Sequence, residues 1–194
     1  MQNAEALRFF SAFCILHSAF MNKLPNHTAL KEWISVIAAL GRGEQVILIR
    51  KGGIADAAFG LEANRFYLFP TNFHEGGGPS PSPVPITHWC EVVRTWQVRD
   101  LDTLLRLEPL VHFDRATLEQ RYRFRPDQAI YVIAVRTFEL REPANVEMED
   151  DYVGCRSWIS VSEEIDVDGS RPVLSDSELQ TRIETVDALL AAAV

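Results

Sequence analysis

The chain has 194 residues, of which 47% are hydrophobic and 24% charged, with ten Gly, ten Pro and three Cys. These proportions are those of a globular protein, and they exclude collagen-like, disordered and disulfide-scaffold chains. The formal net charge of −8 is unevenly placed: residues 1–138 hold 15 basic and 13 acidic side chains, whereas residues 139–194 hold 4 basic and 14 acidic. An acidic last third repels phosphate backbones, so a nucleic acid has only the first two-thirds to dock on.

Cys14, Cys90 and Cys155 are odd in number, widely spaced and without a C-x-x-C pair. This pattern fits reduced thiols in a cytoplasmic protein and carries no structural zinc signature. Residues 9–20 read FFSAFCILHSAF, too short to cross a bilayer as a helix, which takes about 20 residues. With Arg8 its nearby cation, offset by Glu5, residues 1–21 read as a leader outside the core, with Met21 a second candidate start and a secretion signal the alternative. No transmembrane segment is expected.

Residues 22–194 then read as one domain. Thr28 is placed to cap a short helix over Ala29–Trp33, and the apolar, β-prone run Trp33–Leu40 follows as a strand. The Gly41–Glu44 turn and the continuous apolar run Gln45–Ile49 complete a predicted hairpin. Phe66–Phe69 (FYLF) is a buried strand stopped by Pro70, and residues 76–85 (GGGPSPSPVP) form a surface connector. Trp89–Trp96 alternates as a strand, Asp100–Leu107 is a short helix, and Asp114 caps a helix over Arg115–Tyr122. Ala129–Leu140 is the strongest strand, with Arg136 inside it; Ser157–Val161 is the last strand. Ser175 or Asp176 caps a final helix over Ser177–Ala193. Strands outnumber helices without regular alternation, so the expected class is α+β, with a mixed or antiparallel sheet flanked by helices.

The P-loop, the G-x-G-x-x-G turn, the G-x-S-x-G elbow, H-E-x-x-H and the kinase set are all absent. Four segments remain. Arg50-Lys51-Gly52-Gly53 follows a buried strand, and two cations beside glycines suit an anion, phosphate above all. Thr71 and His74 follow the strand break at Pro70, where His74 is a candidate general base. Cys155 lies beside Arg156 and is a candidate nucleophile. Glu147, Glu149, Asp150 and Asp151 offer carboxylates to a hard cation, although an acidic surface loop is the simpler reading.

Ala29–Trp33, Leu48–Ile54, Phe66–Thr71 with His74, and Tyr152–Trp158, taken in order, resemble the bacterial family known as domain of unknown function 1802, over about residues 28–165. The resemblance implies an association with Mrr-type restriction endonuclease domains in some members, hence nucleic-acid business. A weaker likeness, to the outline of the Nudix fold, comes without the R-E-x-x-E-E box that holds magnesium there.

The expected function is therefore a phosphate-ligand or nucleic-acid binding module accessory to DNA processing, with a restriction-system protein as a candidate partner. Arg50, Lys51, Gly52, Gly53, Thr71, His74 and Arg136 are expected to share one cleft. No cofactor or metal site is assigned. The alternatives are a metal-dependent hydrolase of a phosphorylated small molecule, with His74 as base and residues 147–151 as ligands, and a structural protein-interaction domain.

Overall fold

The computed structural model describes residues 24, 26–52, 56, 58–71 and 82–191. The expected leader at 1–21, Cys14, Gly53, His74 and residues 76–81 of the Gly/Pro connector lie outside them. Strand β1 (Thr28–Trp33) runs directly into helix α1 (Ile34–Gly41). This is the reverse of the helix-then-strand order expected here. TALKEW is built from good helix formers, yet β1 is held on both sides, parallel to β3 (Arg65–Thr71) and antiparallel to β6 (Trp158–Ser160). Two ladders outweigh a propensity difference of tenths of a kcal/mol per residue. In ISVIAALG the buried residues Val36, Ile37 and Leu40 fall on one helical face, which the β-branched content obscures.

The predicted hairpin is replaced by long-range pairing. Strand β2 (Ile47–Arg50) lies antiparallel to β5 (Ile130–Val146), with Ile47 opposite Ala134 and Arg50 opposite Tyr131. Strand β3 continues through Pro70 to Thr71 rather than stopping at the proline. Strand β4 (Val84–Val98) pairs with β5 along most of its length, with irregularities between Ile86 and His88 and between Val92 and Arg94. The short helices α2 (Leu101–Leu105) and α3 (Arg115–Arg123) follow, their first turns capped by Asp100 and Asp114 through the Thr103 and Thr117 amides. Strand β7 (Arg171–Pro172) pairs with β5, and helix α4 (Asp176–Ala191) closes the described chain. Ser175 and Glu178 bond reciprocally at its start, as in a capping box.

The result is one α+β domain around a mixed sheet of seven strands in the order β2-β5-β4-β3-β1-β6, with β7 on β5. The strands form one continuous sheet, and a Nudix-like sandwich finds no support in it. Both faces are buried. Leu30, Phe66, Leu68 and Cys90 belong to a core under the helices; their neighbours Ala29, Tyr67, Phe69 and Trp89 belong to a second core with Leu140, Val146, Ile159 and Ile165. Alternate residues thus serve opposite cores, which is why FYLF reads as an unbroken apolar run. Among the described residues no helix is long and apolar enough to cross a membrane.

The sheet also curls on itself. Arg50, on the first strand of the path, donates from Nη2 to the Ser157 hydroxyl at 2.9 Å, and Ser157 immediately precedes the last strand. Side chains therefore bring the two ends of the sheet together, and the cationic residues of interest gather there.

Candidate functional site

Arg50 ends β2 in the interior rather than at an open lip, with 9% of its surface exposed. Its Nη1 donates to the Lys31 carbonyl at 3.2 Å and to Glu32 Oε2 at 3.1 Å. Glu32 is itself 1% exposed, and its other oxygen accepts the Trp33 amide at 2.9 Å. Ser157, which accepts from Arg50, gives its own amide to the Asp56 carboxylate at 3.1 Å. A buried carboxylate survives desolvation only when opposite charge and hydrogen bonds surround it, and Glu32 has both. One donor is left over: Arg50 Nε is buried and has no hydrogen-bond partner.

Lys51 is buried too, at 5% exposure. Its ammonium donates to the Tyr122 carbonyl at 2.6 Å and stands 5.2 Å from the centre of the Tyr122 ring. Burial lowers its pKa. Gly52 follows with φ +88, a backbone conformation that side chains resist. A Cβ there would stand 3.2 Å from the Phe59 amide nitrogen, so the glycine serves a tight chain crossing.

Arg121 joins this cluster without having been singled out in the sequence. Its Nη1 donates to the Ile49 carbonyl at 3.1 Å, and its guanidinium lies over Phe113 at 4.3 Å and Trp33 at 5.0 Å. Desolvation between the rings lowers its pKa to about 10; Arg50 pushes the same way and Glu32 opposes. It stays a cation at neutral pH but is poorly hydrated, the state in which guanidinium groups bind oxyanions best. It makes no ion pair among the described residues. The signal was legible: Arg121 stands three residues after the buried Leu118, on the apolar stripe of α3.

The other expected site residues are dispersed. Thr71 pairs with Trp33 across the β3–β1 ladder and so borders the cluster. Gly53 and His74 lie outside the described residues. Arg136 is elsewhere. It stands five residues along β5 from Tyr131, the partner of Arg50, pairs with Asp176 at 2.5 Å and lines a small hollow with Leu40, Thr137 and Leu174. Cys155 is a half-buried free thiol near Lys31, whose ammonium is held by the Tyr152 and Gly154 carbonyls at 2.6 Å each. Glu147 accepts from Ser82, and Glu149 from Ser162. Among the described residues no three His, Cys, Asp or Glu side chains form a group able to hold a metal ion.

This chain belongs to the family described as "Domain of unknown function (DUF1802)", whose model matches residues 29–185. No curated protein matches the sequence. Among solved structures it is similar to ZmASCH from Zymomonas mobilis. A serine-to-alanine variant of that protein superposes with a TM-score of 0.47 at 12% identity, over 84% of this chain and 99% of that one. A tyrosine-to-phenylalanine variant gives 0.47 at 12% identity, over 81% and 96%. A further ASCH structure from Zymomonas mobilis gives 0.46 at 11%, over 81% and 93%.

Proposed function

We propose that the chain binds a phosphate-bearing ligand, nucleic acid in the first instance, at the cationic cluster where β2 meets α3. The supporting observation is a gathering of cations where β2 meets α3: of Arg50, Lys51 and Arg121, Arg50 pairs with Glu32, whereas Lys51 and Arg121 are held by the Tyr122 and Ile49 carbonyls and make no ion pair among the described residues. Desolvated cations in excess of their counterions favour an added anion. Arg121 is the contact residue, while Arg50 and Lys51 supply field and position from behind it. Thr71 borders the same ground from β3. Arg136 has no part, because its guanidinium is held by Asp176 at the start of α4. The restriction-system association implied by the family resemblance makes nucleic acid the first class to test, and a role accessory to DNA processing follows from the same reading.

Filter binding with single-stranded DNA, duplex DNA and RNA tests this. The intact chain is expected to retain at least one of the three, and Arg121→Gln to weaken it by about tenfold, the loss of one charge-assisted contact. Retention of none, or equal retention by the variant, overturns the proposal.

A further inference from the structure

A strand at the edge of a sheet offers its outward N–H and C=O groups to any other strand, and folded proteins blunt such edges. Several edges here are blunted. On β2 the outward carbonyls of Ile47 and Ile49 accept from the Gln45 side chain and from Arg121. Strand β6 is three residues long, β7 carries Pro172, and β5 beyond its pairing with β7 carries Pro143. The second half of β4 is different. Strand β3 covers β4 as far as Val92, whose amide donates to the Asn64 carbonyl at 2.8 Å. Past Val92, β5 is the one backbone partner of β4 among the described residues.

The ladders fix which groups point outward. The Val135 amide donates to the Val46 carbonyl, so Val135 and alternate residues of β5 face β2, while Ala134 and Val132 face β4. Their partners on β4 are Arg94 and Trp96, which therefore bond inward to β5. Thr95 and Gln97 then direct their N–H and C=O groups away from the sheet. Both residues are exposed, on a stretch, Arg94–Val98, that holds no proline and includes the strand formers Thr95, Trp96 and Val98. Its one charge, Arg94, is answered within the chain by Asp187 of α4 at 2.5 Å.

We propose that two copies of this chain pair through the β4 edge, antiparallel, with Thr95 of each opposite Gln97 of the other and the two-fold axis at Trp96. In an antiparallel ladder, two outward-facing residues that lie opposite one another exchange both of their hydrogen bonds. The Thr95–Gln97 pair occurs once on each side of the axis, so every outward group of the two residues is satisfied by the same two residues of the second copy. Arg94 then opposes the uncharged Val98. An axis at Thr95 instead sets Gln97 against Val93, the extra residue of the irregularity between Val92 and Arg94. An axis at Gln97 sets Thr95 against Arg99, whose carbonyl already accepts the Tyr122 hydroxyl at 3.2 Å. The edge is thus its own complement in one register. The pairing is independent of phosphate binding.

So short an interface makes a weak, concentration-dependent dimer. Sedimentation equilibrium of the intact chain from about 1 to 500 μM tests it, with monomer giving way to dimer as the expected result. Thr95→Pro removes an outward N–H while sparing the bonds to β5, and is expected to abolish the dimer. Thr95→Lys/Gln97→Lys sets like charges opposite one another on both sides of the axis and is expected to weaken association about tenfold. Thr95→Lys/Gln97→Glu sets opposite charges there and is expected to keep it. The two double variants leave the backbone unaltered, so their comparison decides the matter even where circular dichroism shows that Thr95→Pro does not fold. A chain that stays monomeric to the highest concentration overturns the proposal. A dimer that the variants form as well as the unaltered chain, or one in which the two double variants associate equally, overturns it too.

Discussion

Arg50 and Glu32 meet at 3.1 Å although three strands separate β2 from β1 along the sheet. The contact is made by the curl of the sheet, and it places a charge pair in the interior, with both side chains nine-tenths buried or more. Such a pair contributes little net stability relative to apolar residues of the same volume, but breaking it leaves a charge with nowhere to go. Glu32→Ala is therefore expected to cost about 3–5 kcal/mol in urea unfolding, because Arg50 loses its counterion in place. A joint Glu32→Leu/Arg50→Met exchange is expected to cost less than Glu32→Ala alone. A single-variant cost under about 1 kcal/mol, the value of an exposed pair, contradicts this description.

Ser157 completes the closure from the far end of the sheet. Its hydroxyl accepts Arg50 Nη2 at 2.9 Å in a site where Ser157 is 1% exposed. Ser157→Ala adds a second unmet donor to Arg50 beside the one it already has, and a loss of about 1–3 kcal/mol is expected. Chemical denaturation measures it; an unchanged midpoint contradicts it.

Gly52 sits at φ +88 with the Phe59 backbone close by. Gly52→Ala is expected to destabilise by about 1–2 kcal/mol, the cost of placing a Cβ in left-handed backbone. Its effect is expected to show in the melting temperature before it shows in any binding assay.

Cys90 lies wholly in the core, with its thiol pushed up to about 12 by burial and eased slightly by Thr137. The unfolded chain releases that proton near 9, the folded chain near 12. The folded state thus binds more protons in that window, and stability is present below about 9 and lost as pH rises toward 12, by at most about 1.4 kcal/mol per pH unit. Tyr67, raised by burial as well, adds to the same trend. The slope is expected to be shallower in Cys90→Ala, read from urea midpoints across the window. Iodoacetamide is expected to reach the half-buried Cys155 in the native protein and Cys90 only after unfolding.

Periodicity and capping made much of this fold legible. Asp114 before RATLEQRY, Ser175 before α4 and the long apolar run of β5 each carried a local signal that tertiary structure kept. The first two elements were not legible, because TALKEW becomes a strand only through the partners Tyr67–Thr71 and Trp158–Ser160, distant in the chain. The hairpin failed for the same reason: β2 finds its ladder on Ile130–Val146, some eighty residues on. At the candidate site, the sequence marked Arg50 and Lys51 as a cationic pair but not their burial. Burial depends on Glu32 and Ser157 arriving from the other end of the sheet. Arg121 carried the one readable clue, a cation on the stripe defined by Leu118.

The most direct measurement is the salt dependence of affinity for a fluorescently labelled single-stranded oligonucleotide, followed by anisotropy, for the unaltered chain and for Arg121→Gln. Phosphate contacts release counterions, so affinity is expected to fall log-linearly with salt, and the slope to become shallower by about 0.7, one single-strand contact, in the variant. Affinity indifferent to salt, or identical slopes for the two proteins, contradicts a phosphate-binding role for the cluster at Arg50 and Arg121.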